Sequence, residues 1–286
     1  MKIVRSMDNS SNMQVSPYEG ILMSEPFKFV VGKTKKELFI HSTLVASQSR
    51  ALRRLMDGPF IESQQGYVVL ADEEVRTIAA FAEFIYKGDY HLSCDELPPD
   101  IGNEAHCEGT CSDSVRELGR PENNHWTVFA KSEEYGYQTT SSNSFNCRSC
   151  GYQCQVPVSP LLQTWSMDTD YSQLLIAHAK IFVFADCYGI DALTNLAMQK
   201  LHKALCEFRL SRARVDDILA LIRFCYEQPA PEKLRKLVAS YSAAIMDSKV
   251  STVLAECFQD VLKESGEFAA DIAWFLACRV TGSTKC

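Results

Sequence analysis

Two short apolar runs, Phe27 to Val31 and Leu38 to Ile40, stand on either side of the polar stretch Gly32-Lys33-Thr34-Lys35-Lys36. Runs this short, flanking a turn rich in Gly and Lys, suit a β-hairpin better than a helix. A third run, Tyr67 to Leu70, predicts another strand. Between it and the hairpin, the stretches around Thr43 to Ser47 and Arg50 to Asp57 read as two short helices. Beyond it, Val75, Ile78, Ala79, Ala82, Ile85 and Tyr86 recur at the spacing of one buried helix face, and Gly88 ends that helix. The order β-β-α-α-β-α places the chain in the α+β class.

Four stretches within this frame carry a resemblance: Phe39-Ile40-His41, Leu44 to Ser49, Phe60 to Ser63, and Phe84-Ile85-Tyr86-Lys87-Gly88-Asp89-Tyr90. In this order and at these distances they resemble a BTB/POZ domain, most of all the divergent type numerous in filamentous fungi. The resemblance implies a short three-stranded sheet with surrounding helices, and a protein-interaction module without catalysis. The run from His178 to Leu205 resembles the closing helix pair of that fold, differing at Cys187, where the family often carries Lys. On this reading residues 1–24 are a disordered N-terminus. Residues 25–208 are a BTB/POZ domain interrupted by a long loop at about 91–170, and 211–280 are a C-terminal helical bundle.

With 286 residues the chain is long enough to bury a substantial core, and its 46% hydrophobic and 23% charged content is that of a globular protein. The net charge of −7 argues against a basic nucleic-acid-binding surface, so no nucleic-acid partner is expected. No apolar run reaches the roughly 18 residues of a membrane span, and the polar first residues do not suit a secretory leader. The expected location is cytoplasmic or nuclear. In a reducing compartment cysteines serve as small core residues or metal ligands, and the triplet Asn9-Ser10-Ser11 is no glycosylation site.

Gly32-Lys33-Thr34 imitates the end of a phosphate-binding loop, but the Gly that motif requires five residues earlier is Phe27, and no helix is expected after Thr34. A Lys-rich turn accounts for these residues. His41 falls where BTB proteins often have a His, and reads as a ring satisfying backbone groups at a strand-to-helix junction. Ile21, Leu22 and Met23 read in two ways: packed on a partner, as the segment before the first strand is in BTB dimers, or covering the edge of their own core.

Phe60-Ile61-Glu62 is the candidate partner site. In BTB domains that recruit a cullin scaffold, a hydrophobic-x-Glu signature lies just after the helix that precedes the third strand, and the resemblance places Phe60 and Glu62 there. An exposed aromatic can anchor in a partner's pocket while a carboxylate at the rim fixes orientation. The alternative makes Phe60 a lid on the core and Glu62 a solvated loop residue.

From about His91 to Asp170 periodicity fades and Ser, Asn, Gly, Pro and Cys accumulate. Ten acidic residues against three basic ones between Asp95 and Gln138 give that part −7 by itself, so a solvated, mobile insert is expected. Six of the twelve cysteines lie here, at 94, 107, 111, 147, 150 and 154. Cys147-Arg-Ser-Cys150-Gly151 has the form of a zinc knuckle, and Cys107 with Cys111, or His106 with Cys107, would complete four ligands of a closed structural site. The spacing of the second pair and the leftover Cys154 leave a cysteine-rich loop without metal as the competing reading. No metal or cofactor is therefore assigned.

Further on, Leu174, Ala177, Ile181, Phe184 and Ala185 mark a core-facing helix ended at Gly189, and Asp191 is expected to cap the next, which carries Leu193, Leu196, Ala197, Leu201, Ala204, Leu205 and Phe208. Val215 to Tyr226, Pro231 to Met246, Thr252 to Glu264 and Phe268 to Arg279 show helical periodicity. Pro231 is expected at a first helical position and Gly266 at a helix stop. Cys206, Cys225, Cys257 and Cys278 read as core or boundary residues of these helices.

No catalytic residue is identified: the six His are scattered, and no nucleophile-elbow, zinc-protease or nucleotide-binding pattern occurs. The expected function is a non-enzymatic protein-interaction module that holds protein partners, self-associates through its BTB domain, or serves as substrate adaptor of a cullin ubiquitin ligase through Phe60, Ile61 and Glu62. The alternative is a BTB scaffold or transcription-associated regulator with a zinc-binding insert and no cullin partner.

Overall fold

The computed structural model describes residues 17–92, 129–132, 144–146, 153–155, 171–208, 210, 214–227, 230–246 and 251–281. They are mixed α+β: a small three-stranded sheet with surrounding helices, followed by a helical region. The chain divides into two compact units, residues 1–78 and 79–286, each with its own buried side chains. Among the described residues no helix is long and apolar enough to cross a membrane.

In the first unit, α1 (Pro17–Leu22) precedes β1 (Pro26–Val31) and β2 (Lys36–His41), which pair antiparallel with Phe29 opposite Leu38. The turn between them uses left-handed backbone at Gly32 (φ 70°) and Lys35 (φ 52°), and Lys35 N–H closes it on Gly32 O at 3.0 Å. No helix follows Thr34, as the turn reading requires. Three helices then cross over: α2 (Ser42–Gln48), α3 (Arg50–Asp57) and α4 (Ile61–Gln65). They lead to β3 (Tyr67–Leu70), parallel to β1 on the side away from β2, giving the order β2-β1-β3. A parallel neighbour requires such a crossover. Alternation along β1 buries Phe27, Phe29 and Val31, with Ile40 of β2 and Val68 and Leu70 of β3 on the same face.

Two expectations are corrected here. Residues 17–22, within the stretch read as disordered, are helical: Pro17 suits a first turn, and Ser24 Oγ donates to Ile21 O at 2.7 Å where the helix ends. The third crossover helix, α4, was not foreseen, because five residues are too few to show helical periodicity.

α5 (Val75–Lys87) spans the boundary between the units and stops at Gly88 (φ 77°), whose N–H donates to Phe84 O at 2.7 Å. Its buried face differs from the expected stripe. Thr77, Ile78, Ala80 and Phe81 are buried, while Ala79 and Tyr86 are exposed. The buried stripe is rotated relative to the expected one because it centres on Phe81, whose ring meets Phe184 tilted at a centroid distance of 5.3 Å.

The second unit is organised on α6 (Ser172–Cys187), buried on almost every side, as a helix apolar all round must be. It packs along α7 (Asp191–Glu207) and α8 (Val215–Glu227). α9 (Glu232–Ile245), α10 (Ser251–Glu264) and α11 (Gly266–Thr281) complete the helical region. The α6–α7 junction follows the sequence: Gly189 is left-handed (φ 65°), its N–H donates to Asp186 O, and Ile190 N–H reaches Ala185 O at 2.8 Å, a Schellman closure with Ile190 buried.

Three local assignments shift by a residue or more. Asp191 is the first residue of α7 and Ile190 its cap, so the carboxylate acts from the first turn rather than as a hydrogen-bonding cap. Pro231 is the cap of α9, its carbonyl accepting from Leu234 N–H at 3.0 Å. Gly266 begins α11 instead of stopping α10; the break is at Ser265, whose Oγ accepts from Phe268 N–H at 3.2 Å.

Within the stretch read as solvated insert, Phe129 is buried, and β4 (Ser144–Asn146) pairs antiparallel with β5 (Gln153–Gln155). Cys225 is buried and Cys206 and Cys257 are half-buried free thiols, and Cys278, half-buried within α11, is disulfide-bonded.

Candidate protein-docking site

The segment that carries Phe60 is shaped by the end of α3. Ser49 caps α3 by accepting from Leu52 N–H at 3.0 Å, and the helix closes with Gly58 N–H donating to Arg54 O at 2.7 Å. A Cβ at Gly58 would lie 2.2 Å from that same carbonyl oxygen and 3.0 Å from the Phe60 ring. Only glycine fits there, because neither a backbone oxygen nor the chain beneath it can give way. Ser63 Oγ donates to Gly58 O and sits 2.9 Å from Phe60 O, tying the α3–α4 connection across its base. Phe60 is the cap residue of α4, with φ −91° and ψ 160°, and Gly66 closes the helix in the left-handed region at φ 71°.

This frame holds Phe60 and Ile61 outward, 49% and 66% exposed, on consecutive positions. The lid reading of Phe60 does not hold. Glu62 lies half-buried in the first turn of α4, not in a loop, where a carboxylate is favoured by the unpaired N–H groups of a helix start. Two apolar side chains and one carboxylate thus leave a single short turn. Such a group can bind by burying apolar area, with the charge setting orientation; it contains no nucleophile paired with a base.

Leu22 and Met23 are also exposed, at 72% and 81%, so they do not cover a core of the described residues. His41 is the half-buried cap residue of α2 at the end of β2, without a side-chain cap hydrogen bond. Sequence reasoning missed Phe39 and Val69, 60% and 55% exposed on the outer face of the sheet. Each sits inside an unbroken apolar run, where alternation gives no signal.

Burial pushes the Cys225 thiol and the Tyr241 phenol up, and lowers His202 against a raising contribution from Phe129 O. His202 Nε2 is 2.8 Å from that carbonyl, which can only accept, so this nitrogen carries the hydrogen. Cys206 Sγ, 3.6 Å from the same nitrogen, therefore has no base there to take its proton. Among the described residues no group of three or more His, Cys, Asp or Glu side chains could hold a metal ion. The zinc candidates Cys107, Cys111, Cys147, Cys150 and His106 lie outside the described residues.

Compared with known proteins, the chain matches no family model, no curated protein and no solved structure.

Proposed function

We propose that the protein is a non-enzymatic protein-interaction module of the BTB/POZ type, which docks on a cullin scaffold through Phe60, Ile61 and Glu62 and so acts as a ubiquitin-ligase adaptor. The observation that carries this reading is the outward projection of Phe60 and Ile61 from a turn built on Gly58, beside the half-buried Glu62. Apolar side chains of this size held rigidly at a surface lose little conformational freedom on binding and make effective anchors. The β-β-α-α-α-β order with its short sheet agrees with the fold that the motifs resemble.

The test is affinity purification with mass spectrometry from cells that express the protein, comparing wild type with Phe60→Ala/Glu62→Lys after circular dichroism shows the variant folded. A cullin recovered with wild type and lost with the variant supports the adaptor. No cullin with either chain discards it. With purified cullin, loss of an aromatic anchor should weaken binding by at least about thirtyfold, the equivalent of about 2 kcal/mol.

A further inference from the structure

The sheet has two edges, and they are unlike. β3 is four residues long and runs into Asp72, Glu73 and Glu74, whereas β2 has six residues and begins at a turn that holds Lys33, Lys35 and Lys36, all exposed. Among the described residues β2 pairs only with β1. Hydrogen bonds of β1 decide which groups of β2 are left over. Lys28 N–H donates to Gly66 O at 3.2 Å and Gly32 N–H to Leu70 O at 2.9 Å, so the even-numbered residues of β1 bond toward β3. By alternation Phe27, Phe29 and Val31 bond toward β2, pairing with Ile40, Leu38 and Lys36, and the main-chain groups of Glu37 and Phe39 point away from β1. The Phe39 ring is 60% exposed on the outer face that it shares with Lys28 and Tyr67. Lys28 is occupied, 3.0 Å from Glu37 Oε1, but no carboxylate of the described residues pairs with Lys33, Lys35 or Lys36.

We infer that the β2 edge binds an extended acidic peptide of another protein, added to the sheet as an antiparallel strand. Strand addition draws affinity from main-chain hydrogen bonds and specificity from alternate side chains and flanking charge. Antiparallel pairing is the more stable geometry, and it lets one ligand residue exchange two hydrogen bonds with Phe39 and lay its side chain against the ring. The ligand residues on either side face Leu38 and Ile40, on the core side of the sheet, so these three ligand positions suit apolar side chains. Two residues beyond the centre the ligand meets Glu37, where a second carboxylate would repel and a hydroxyl fits. Past that point it runs beside Lys36, Lys35 and Lys33, cations that favour carboxylates. Because β2 starts at the turn, an antiparallel ligand reaches those lysines with its C-terminal end. The ligand is therefore an apolar triplet, a small polar residue and then an acidic run. Neither Phe60 nor Glu62 takes part, so the inference stands apart from the adaptor reading.

The experiment is fluorescence anisotropy of a labelled peptide, three valines, a threonine and three glutamates in that order, titrated with the purified full chain in reducing buffer. Binding should saturate, and the dissociation constant should rise at least about fivefold between about 50 and 300 mM salt, because screening weakens the lysine contacts. Lys35→Glu/Lys36→Glu changes two exposed side chains and should raise the constant at least about tenfold with an unchanged thermal midpoint. N-methylation of the middle valine removes the N–H that donates to Phe39 O and should raise it at least about tenfold as well. On the third valine, whose N–H points away from β2, the same methyl group should change it less than about twofold. This pair of peptides needs no change in the protein, so it decides the register even where a variant fails to fold. No saturable binding up to about 1 mM, or binding that neither the methylated pair nor the lysine reversal changes, overturns the inference. Peptide binding that emerges only as the protein is diluted would mean that a second copy occupies the edge, and overturns it too.

Discussion

Tyr90 Oη and His178 Nδ1 lie 2.8 Å apart, joining residues 88 positions apart in the chain, both buried. The rings are tilted at a centroid distance of 5.6 Å, and Lys200 closes the arrangement: its Nζ donates to Tyr90 O at 2.7 Å, pairs with Asp89 at 2.6 Å and stands 4.8 Å over the Tyr90 ring. The segment leaving α5 is thereby pinned to α6 and α7. Burial pushes the Tyr90 phenol well up, so it stays a neutral partner for the imidazole. Tyr90→Phe, which removes only the hydroxyl, should lose about 1 kcal/mol, and Tyr90→Ala about 3–5 kcal/mol. Denaturant unfolding measures both; no loss in Tyr90→Phe would mean that the hydrogen bond contributes nothing beyond the ring.

Glu83, seven residues before Tyr90 in the chain, predicts an acid-sensitive step. Burial acts to raise its carboxyl, but hydrogen bonds from the His91 ring and main-chain N–H, each 2.9 Å long, and from Lys87 outweigh it and hold it at about 2 against an ordinary 4.5. A carboxylate held below its unfolded value stabilises the fold fully above pH 4.5, and the contribution is lost as pH falls through about 2. Chemical unfolding of wild type and Glu83→Gln across this range should show a stability difference that is constant near neutrality and gone at the acid end. A difference independent of pH would refute the assignment.

Gly58→Ala should destabilise by about 1–3 kcal/mol, since its Cβ has no room beside Arg54 O. The same change should weaken any partner that Phe60 anchors, because the ring rests on the glycine. Phe60→Ala, by contrast, removes an exposed side chain and should change stability by less than about 0.5 kcal/mol while weakening any partner that Phe60 anchors. Thermal melts beside binding measurements separate the two variants.

The two glycines at helix ends should respond oppositely. Gly189→Ala forces a Cβ into the left-handed region and should cost about 1–2 kcal/mol. Gly266→Ala falls in the first turn of α11, with open space around it and no positive φ, and should be neutral or stabilising by up to about 1 kcal/mol. Calorimetry of the pair checks the sign.

Sequence alone determined the features that neighbours along the chain control. β3 at Tyr67–Leu70, the stop at Gly88, the Schellman closure around Gly189 and the helices of the C-terminal region follow from propensity, periodicity and caps, which act within a few residues. The candidate docking triplet was legible only as a pattern in order, since the same letters suit a lid or an anchor. Tertiary structure alone decided which side chains are exposed, because exposure depends on what folds over them: Phe60 and Phe39 face outward, and Phe129, from an acidic stretch without periodicity, is buried against the His202 and Tyr241 rings. It likewise decided that β3 joins β1 on the side away from β2, that Tyr90 meets His178, and that Cys278 is disulfide-bonded. Contacts between residues tens of positions apart are set by the packing of whole elements, and no local spacing encodes them.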